Sequence, residues 1–150
     1  MREETGDIWE AYNAGCWIVI PTNGFVRNDG TAVMGRGLAW QAKERFPILQ
    51  LDLGERLKEY GNHVFVFSRY RIITFPVKHK WMEDANVNLI QRSCMELMKV
   101  VEDAHGVFSL PIYIPRVGCG NGKLDWNNVK PILASSLDDR FIVISLENQA

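Results

Sequence analysis

Apolar residues along this chain fall into short unbroken runs and into stripes with helical spacing. Trp17-Ile18-Val19-Ile20 is an unbroken run, the pattern of a strand buried on both faces. From Gly37 to Phe46 the apolar positions Leu38, Ala42 and Phe46 share one helical face, and Pro47 stops the helix. A second helix is expected from Ile48 to Tyr60, ending at Gly61. Val64 to Phe67 and Tyr70 to Phe75 read as two strands joined by a tight turn. Asp84 is placed to cap a long helix whose stripe is Val87, Ile90, Cys94, Leu97 and Val101, closed by Gly106. Val107 to Ile114 is the next expected strand. Asp125-Trp126 opens a helical stretch, but Pro131 predicts a short turn first and a main helix starting near the proline. Phe141 to Leu146 is the last apolar strand. Strands alternating with helices predict an α/β protein with a mixed sheet and helices on both faces.

Two of these strands run into glycine-rich turns. Trp17 to Ile20 leads through Pro21-Thr22-Asn23-Gly24 to Val33-Met34-Gly35-Arg36-Gly37-Leu38. Ile112 to Ile114 leads through Pro115-Arg116-Val117 to Gly118-Cys119-Gly120-Asn121-Gly122. Neither is a P-loop, because GxxxxGK[ST] is absent, and Gly35-Arg36-Gly37 is not GxGxxG. Each taken alone is as well read as a tight turn. Together, at strand ends in one small domain, they suggest a diphosphate ligand gripped from both sides.

The remaining composition narrows the class. A chain of 150 residues, 47% hydrophobic and 23% charged, fits one globular domain, residues 1–150. Its 17 basic and 18 acidic residues give a net charge of −1, which weighs against a protein gripping long nucleic acid by its phosphates. A short strand or a single modified nucleotide stays compatible. Cys16, Cys94 and Cys119 form no CxxC pair, so a reducing, cytoplasmic compartment is expected rather than a disulfide scaffold. No signal peptide and no apolar run of about 20 residues is seen, so no membrane span is expected. His63, His79 and His105 have no metal-ligand spacing, and no metal or other cofactor is expected.

Gly6-Asp7-Ile8, Thr22-Asn23-Gly24, Met34-Gly35-Arg36-Gly37-Leu38-Ala39 and the run from Pro115 to Trp126 together resemble a macrodomain over nearly the whole chain. The second loop followed by Leu124-Asp125-Trp126 is the most specific piece. The resemblance implies a three-layer α/β/α domain with a central mixed sheet that binds ADP-ribose. It implies that Asp7, with Ile8 beside it, meets adenine; the alternative for Asp7 is a turn or helix cap. It places Asn23 beside the distal ribose, the alternative being a turn residue before Gly24. It assigns Val33, Met34, Gly35, Arg36, Gly37 and Leu38 to the first diphosphate loop. Gly118, Cys119, Gly120, Asn121 and Gly122 form the second.

Thr74-Phe75-Pro76-Val77-Lys78-His79-Lys80-Trp81 resembles a segment of the DarG branch of macrodomains, DNA ADP-ribosyl glycohydrolases whose essential lysine falls on Lys78. The resemblance thus implies a lysine-dependent hydrolase removing ADP-ribose from a modified base, with Lys78 and Asn23 as catalytic residues. The neighbours His79 and Lys80 would disfavour the charged form of Lys78. Nucleophilic attack, Schiff-base chemistry and electrostatic stabilisation all remain open for it, as does a solvated charge with no role. The alternative functions are a reader that binds ADP-ribose unchanged and a phosphatase acting on ADP-ribose 1″-phosphate. Partners expected are ADP-ribose or an ADP-ribosylated substrate such as single-stranded DNA, with the chain as a monomer. The basic residues Arg69, Arg71, Lys78, His79 and Lys80 are equally a phosphate-binding patch or a solvated rim. The insertion 25–32 is either a lid over the distal ribose or a surface turn. Trp81 and Phe75 flank the lysine and are candidates for stacking on a base.

Overall fold

The computed structural model describes residues 1–104 and 106–146. Its strands are Arg2–Thr5 (β1), Ile18–Asn23 (β2), Phe65–Phe67 (β3), Ile72–Lys78 (β4), Ile112–Ile114 (β5) and Phe141–Ser145 (β6). Its helices are Ile8–Asn13 (α1), Gly37–Arg45 (α2), Leu49–Tyr60 (α3), Val87–Asp103 (α4) and Trp126–Ser136 (α5). The sheet order is β1-β6-β5-β2-β4-β3. All pairings are parallel except β3 with β4, so the sheet is mixed.

Alternation along the strands builds two cores. Val19, Ile73, Phe75, Val77, Ile112, Ile114 and Phe141 point to one face, where Ile90, Cys94 and Leu97 of α4 and Val129 and Leu133 of α5 cover them. Ile18, Ile20, Ile72 and Ile144 point to the other, where α1, α2 and α3 contribute Ile8, Trp9, Ala39, Ala42, Leu49, Leu53 and Leu57. The expected three-layer α/β/α arrangement is thus present. A central parallel strand buried on both sides cannot alternate apolar with polar, which is why Ile18, Val19 and Ile20 are all fully buried.

Several local expectations are corrected. The cap of α4 is Asn86, whose side chain accepts from Leu89 N at 3.0 Å, so Asp84 lies outside the helix. That helix ends at Asp103, before Gly106. The strand expected from Val107 starts only at Ile112, with Val107 and Leu110 half exposed and Pro111 unable to donate to a ladder. No break separates Asp125 from Pro131. Asp125 caps α5 by accepting from Asn127 N at 2.9 Å, and the helix runs through Pro131. Buried Val129 and Leu133 hold it against the core, at the loss of one proline N–H bond near its start. The sequence reading also missed β1, whose Arg2-Glu3-Glu4-Thr5 has no apolar residue and forms an exposed sheet edge.

Candidate functional site

The parallel strands β2, β4 and β5 all end at one side of the sheet, and a cavity of about 520 Å³ opens there. Strand ends supply Pro21, Thr22, Asn23, Val77, Lys78, Pro115 and Arg116 to its wall. The first loop adds Val33 to Leu38 and the second adds Gly118, Gly120, Asn121 and Gly122. Phe25, Arg27, Ala39 and Trp81 complete it.

The first loop feeds the N-terminus of α2, whose cap residue Arg36 makes no side-chain capping bond. The N–H groups of that first turn are therefore available to an anion. The second loop is held from inside. Leu124 N bonds Gly118 O at 2.9 Å, and Ala85 N bonds Gly122 O at 3.0 Å. Gly118 has φ +77°, and a Cβ there would lie 2.9 Å from Ile90 Cδ1, so shape and packing both require glycine. Gly35 and Gly120 are different. Neither has a positive φ, and an added Cβ would meet nothing within 4 Å at either. Both line the cavity with bare backbone, open to close approach from that side. The two loops meet where Asn121 Nδ2 lies 3.0 Å from the position of a Gly37 Cβ.

Leu124-Asp125-Trp126 supports this loop. Leu124 packs on the core, Asp125 caps α5, and the Trp126 ring lies 5.3 Å from the Arg116 guanidinium carbon. Trp126 Nε1 donates to Glu3 at 3.2 Å, tying the loop to the edge strand β1.

Asn23 turns its side chain onto backbone. Its Nδ2 donates to Val33 O at 3.0 Å, and its Oδ1 accepts from Phe25 N at 3.0 Å. It therefore bridges the start and end of the 25–32 insertion while lining the cavity. That insertion is pinned. Val26 bridges Ala32, Arg27 N bonds Thr31 O at 2.8 Å, and Ala32 N bonds Gln50 O of α3 at 2.8 Å.

Lys78 ends β4 and donates from Nζ to Asn121 O of the second loop at 3.3 Å. Its pKa is lowered first by burial and then by the nearby charges of Arg36 and Lys123, against a raising effect of Asp84. The expected agents, His79 and Lys80, are not among the causes. Among the described residues the lining carries Arg27, Arg36, Lys78 and Arg116 and no carboxylate or histidine.

Other expected residues lie elsewhere. Asp7 and Ile8 are at the C-terminal end of β1, on the same edge of the sheet, but do not line the cavity. Asp7 Oδ1 accepts from Trp9 N at 2.9 Å and caps α1, and Ile8 is buried in the core. Cys119 is half-buried and outside the lining, with burial pushing its thiol up to about 11. Phe75 is fully buried in the core, so of the two watched aromatics only Trp81, 47% exposed, reaches the cavity. The basic patch is divided. Arg71 donates to Tyr12 O and Cys16 O at the opposite end of β4 from Lys78, about 20 Å away at strand spacing. Arg69 stacks on Tyr70 beside it. Phe25, Arg27 and Arg116 were missed as lining residues, because the loop geometry that turns them inward is not visible in their neighbours.

No group of three His, Cys, Asp or Glu that could hold a metal occurs among the described residues, and His105 lies outside them. No helix among them is long and apolar enough to cross a membrane.

The fold is that of a macrodomain. The macrodomain of Mycobacterium tuberculosis DarG superimposes with a TM-score of 0.78 at 26% identity, covering 95% of each chain. Thermosipho africanus DarTG, solved in complex with ADP-ribose, matches with a TM-score of 0.77 at 20% identity over all of this chain and 43% of that one. In sequence, the DNA ADP-ribosyl glycohydrolase of Mycobacterium tuberculosis (strain ATCC 25618 / H37Rv) is 27% identical over 136 residues, 83% of this chain. The chain spans 38% of that relative's length. No protein-family profile matches the chain.

Proposed function

We propose that this chain is an ADP-ribosyl glycohydrolase that removes ADP-ribose from a modified nucleic-acid base, with Lys78 performing the chemistry. One observation carries the reading. Among the described residues, the cavity lining contains three arginines, one lysine and no carboxylate or histidine. Arginine does not release its proton in proteins. Lys78 is thus the lining side chain able to exchange a proton, and its pKa is lowered toward that task. The relative named DNA ADP-ribosyl glycohydrolase and the ADP-ribose complex of DarTG support the same ligand and acceptor.

In this reading the first turn of α2, Gly35 and the second loop hold the diphosphate. Arg36 and Arg116 add charge to that grip. Asp7 offers the adenine amino group the carboxylate oxygen that does not cap α1. Asn23 orders the wall beside the distal ribose. The neutral amine of Lys78 adds its lone pair to the anomeric carbon of that ribose. The bond from that carbon to the base nitrogen breaks, and the base leaves with the electron pair and takes the proton that the newly bonded Lys78 nitrogen gives up. Water then attacks the same carbon, the carbon–nitrogen bond to Lys78 breaks with its electron pair returning to the amine, which takes the proton shed by the water, and ADP-ribose is released.

The test is release of ADP-ribose from thymidine-ADP-ribosylated single-stranded DNA by wild type and Lys78→Ala, with ADP-ribose affinity measured by calorimetry. Expected are release by wild type, a loss of at least about 10²-fold in the variant and little change in affinity. Full activity in Lys78→Ala would overturn the assignment. Tight binding without release would make the chain a reader. Phosphate release from ADP-ribose 1″-phosphate with the base linkage intact would make it a phosphatase.

A further inference from the structure

The last residues of β4 leave the regular ladder. Thr22 of β2 pairs with Pro76, but Asn23 pairs with Lys78, so Val77 is an extra residue and β4 bulges just before the lysine. A bulge re-aims the side chain that follows it. Three successive carbonyls at this bulge are held from outside the sheet. Pro76 O accepts from Ser93 Oγ at 2.7 Å, Val77 O from Asn86 N at 2.8 Å, and Lys78 O from Asn62 Nδ2 at 2.9 Å. His79 O accepts from Gly24 N at 3.1 Å.

Asn62 does not line the cavity, and its chemistry is unexplained by packing. Its Oδ1 is buried with no hydrogen-bond partner among the described residues. A buried unpaired amide oxygen is costly, and an aliphatic side chain would avoid the penalty. What the amide alone supplies is the donor to the Lys78 carbonyl. The same side chain fills the space beside Gly24, where a Cβ would lie 2.7 Å from Asn62 Cγ. Gly24 directly follows Asn23. Asn62 is itself anchored to α4. Arg92 donates to its carbonyl and pairs with Glu96 at 3.3 Å, while Glu96 accepts from Val64 N at 2.9 Å and holds His63 at 2.9 Å.

We infer that Asn62 is a positioning residue: by holding the Lys78 carbonyl and backing Gly24, it fixes Lys78 relative to its ladder partner Asn23 at the cavity wall. The inference rests on the proposed hydrolysis at Lys78. Asn62 touches neither the reacting atoms nor the ligand space. Its removal acts on the rate and on the environment of the lysine, not on the diphosphate grip, which the two loops make on their own.

The experiment compares wild type, Asn62→Ala and Asn62→Asp. Asn62→Asp keeps the shape but, when ionised, loses the donor. Three quantities are read: single-turnover release from thymidine-ADP-ribosylated DNA, ADP-ribose affinity by calorimetry, and titration of the Lys78 side chain by NMR of labelled lysine, assigned with Lys78→Ala. In both variants release should slow by about 10²-fold, as expected when a reacting group is displaced by about 1 Å. Affinity should stay within about twofold, and the Lys78 titration should move away from its wild-type midpoint. Unchanged release and titration in a folded variant would overturn the inference. So would normal activity in Asn62→Asp beside loss in Asn62→Ala, because shape rather than the donor would then matter. Should Asn62→Ala fail to fold, Asn62→Asp decides the matter. If wild type releases nothing, the hydrolase reading falls, and the positioning role stands or falls on the titration, which needs no turnover.

Discussion

Lys78 sits half-buried at a strand end, and burial lowers its pKa below the ordinary lysine value of 10.5. If its neutral amine attacks the sugar, release should rise with pH as the ammonium loses its proton, with a midpoint below 10.5. A rate that falls over that window would instead mean that the ammonium stabilises the departing base. The single-turnover pH profile distinguishes the two. The same shift affects stability in a definite direction. Between the lowered folded value and the unfolded one, the unfolded chain binds more protons, so the penalty of burying the ammonium is relieved and stability rises as pH rises through that window. The lysine was legible from its neighbours Phe75, Pro76 and Trp81. The cause of its shift was not, because Arg36 and Lys123 are distant in sequence and His79 and Lys80 are not among the groups that move it.

The insertion 25–32 takes its shape from helix α3. A Cβ on Gly54 would lie 1.9 Å from Gly30 O, closer than any real contact, so helix and insertion touch backbone to backbone. Gly54→Ala should therefore destabilise the fold by about 1–3 kcal/mol, visible in denaturant unfolding. Because Asn23 is bonded to both ends of the insertion, the same variant should weaken ADP-ribose binding, read by calorimetry. Nothing in the segment's own composition says that the helical Gly54, far along the chain, carries it. Elements with strong periodic signals were readable. The stripe of α4 is buried from Ile90 to Val101 as its spacing predicts, but Val87 at its start is exposed, because the helix joins the core only from Ile90. Elements set by neighbours were not. β1 is a strand only because β6 offers it a partner, and α5 crosses Pro131 because the core beneath it is worth more than one hydrogen bond.

The molecule as a whole carries a net charge of −1, yet among the described residues its cleft is lined by cations alone of the charged side chains. Such separation of charge attracts a diphosphate without making the protein basic overall. ADP-ribose affinity should therefore fall severalfold when ionic strength rises from about 0.01 M to about 1 M, as the screening length shrinks from ~30 Å to ~3 Å. Adenosine, lacking the phosphates, should show no such dependence. Isothermal titration at several salt concentrations checks both. Local pattern was sufficient for the α/β class, for the main strands and helices and for both glycine-rich turns, since those depend on residues a few positions apart. The macrodomain resemblance also rested on residues in their chain order. Which of these residues share one cavity depends on how the strands are ordered, and that order follows from burying two apolar faces of a single sheet. Packing therefore brought Lys78, Asn23, Arg27, Arg36 and Arg116 around one space, left Arg69 and Arg71 at the far end of β4, and put Phe75 into the core.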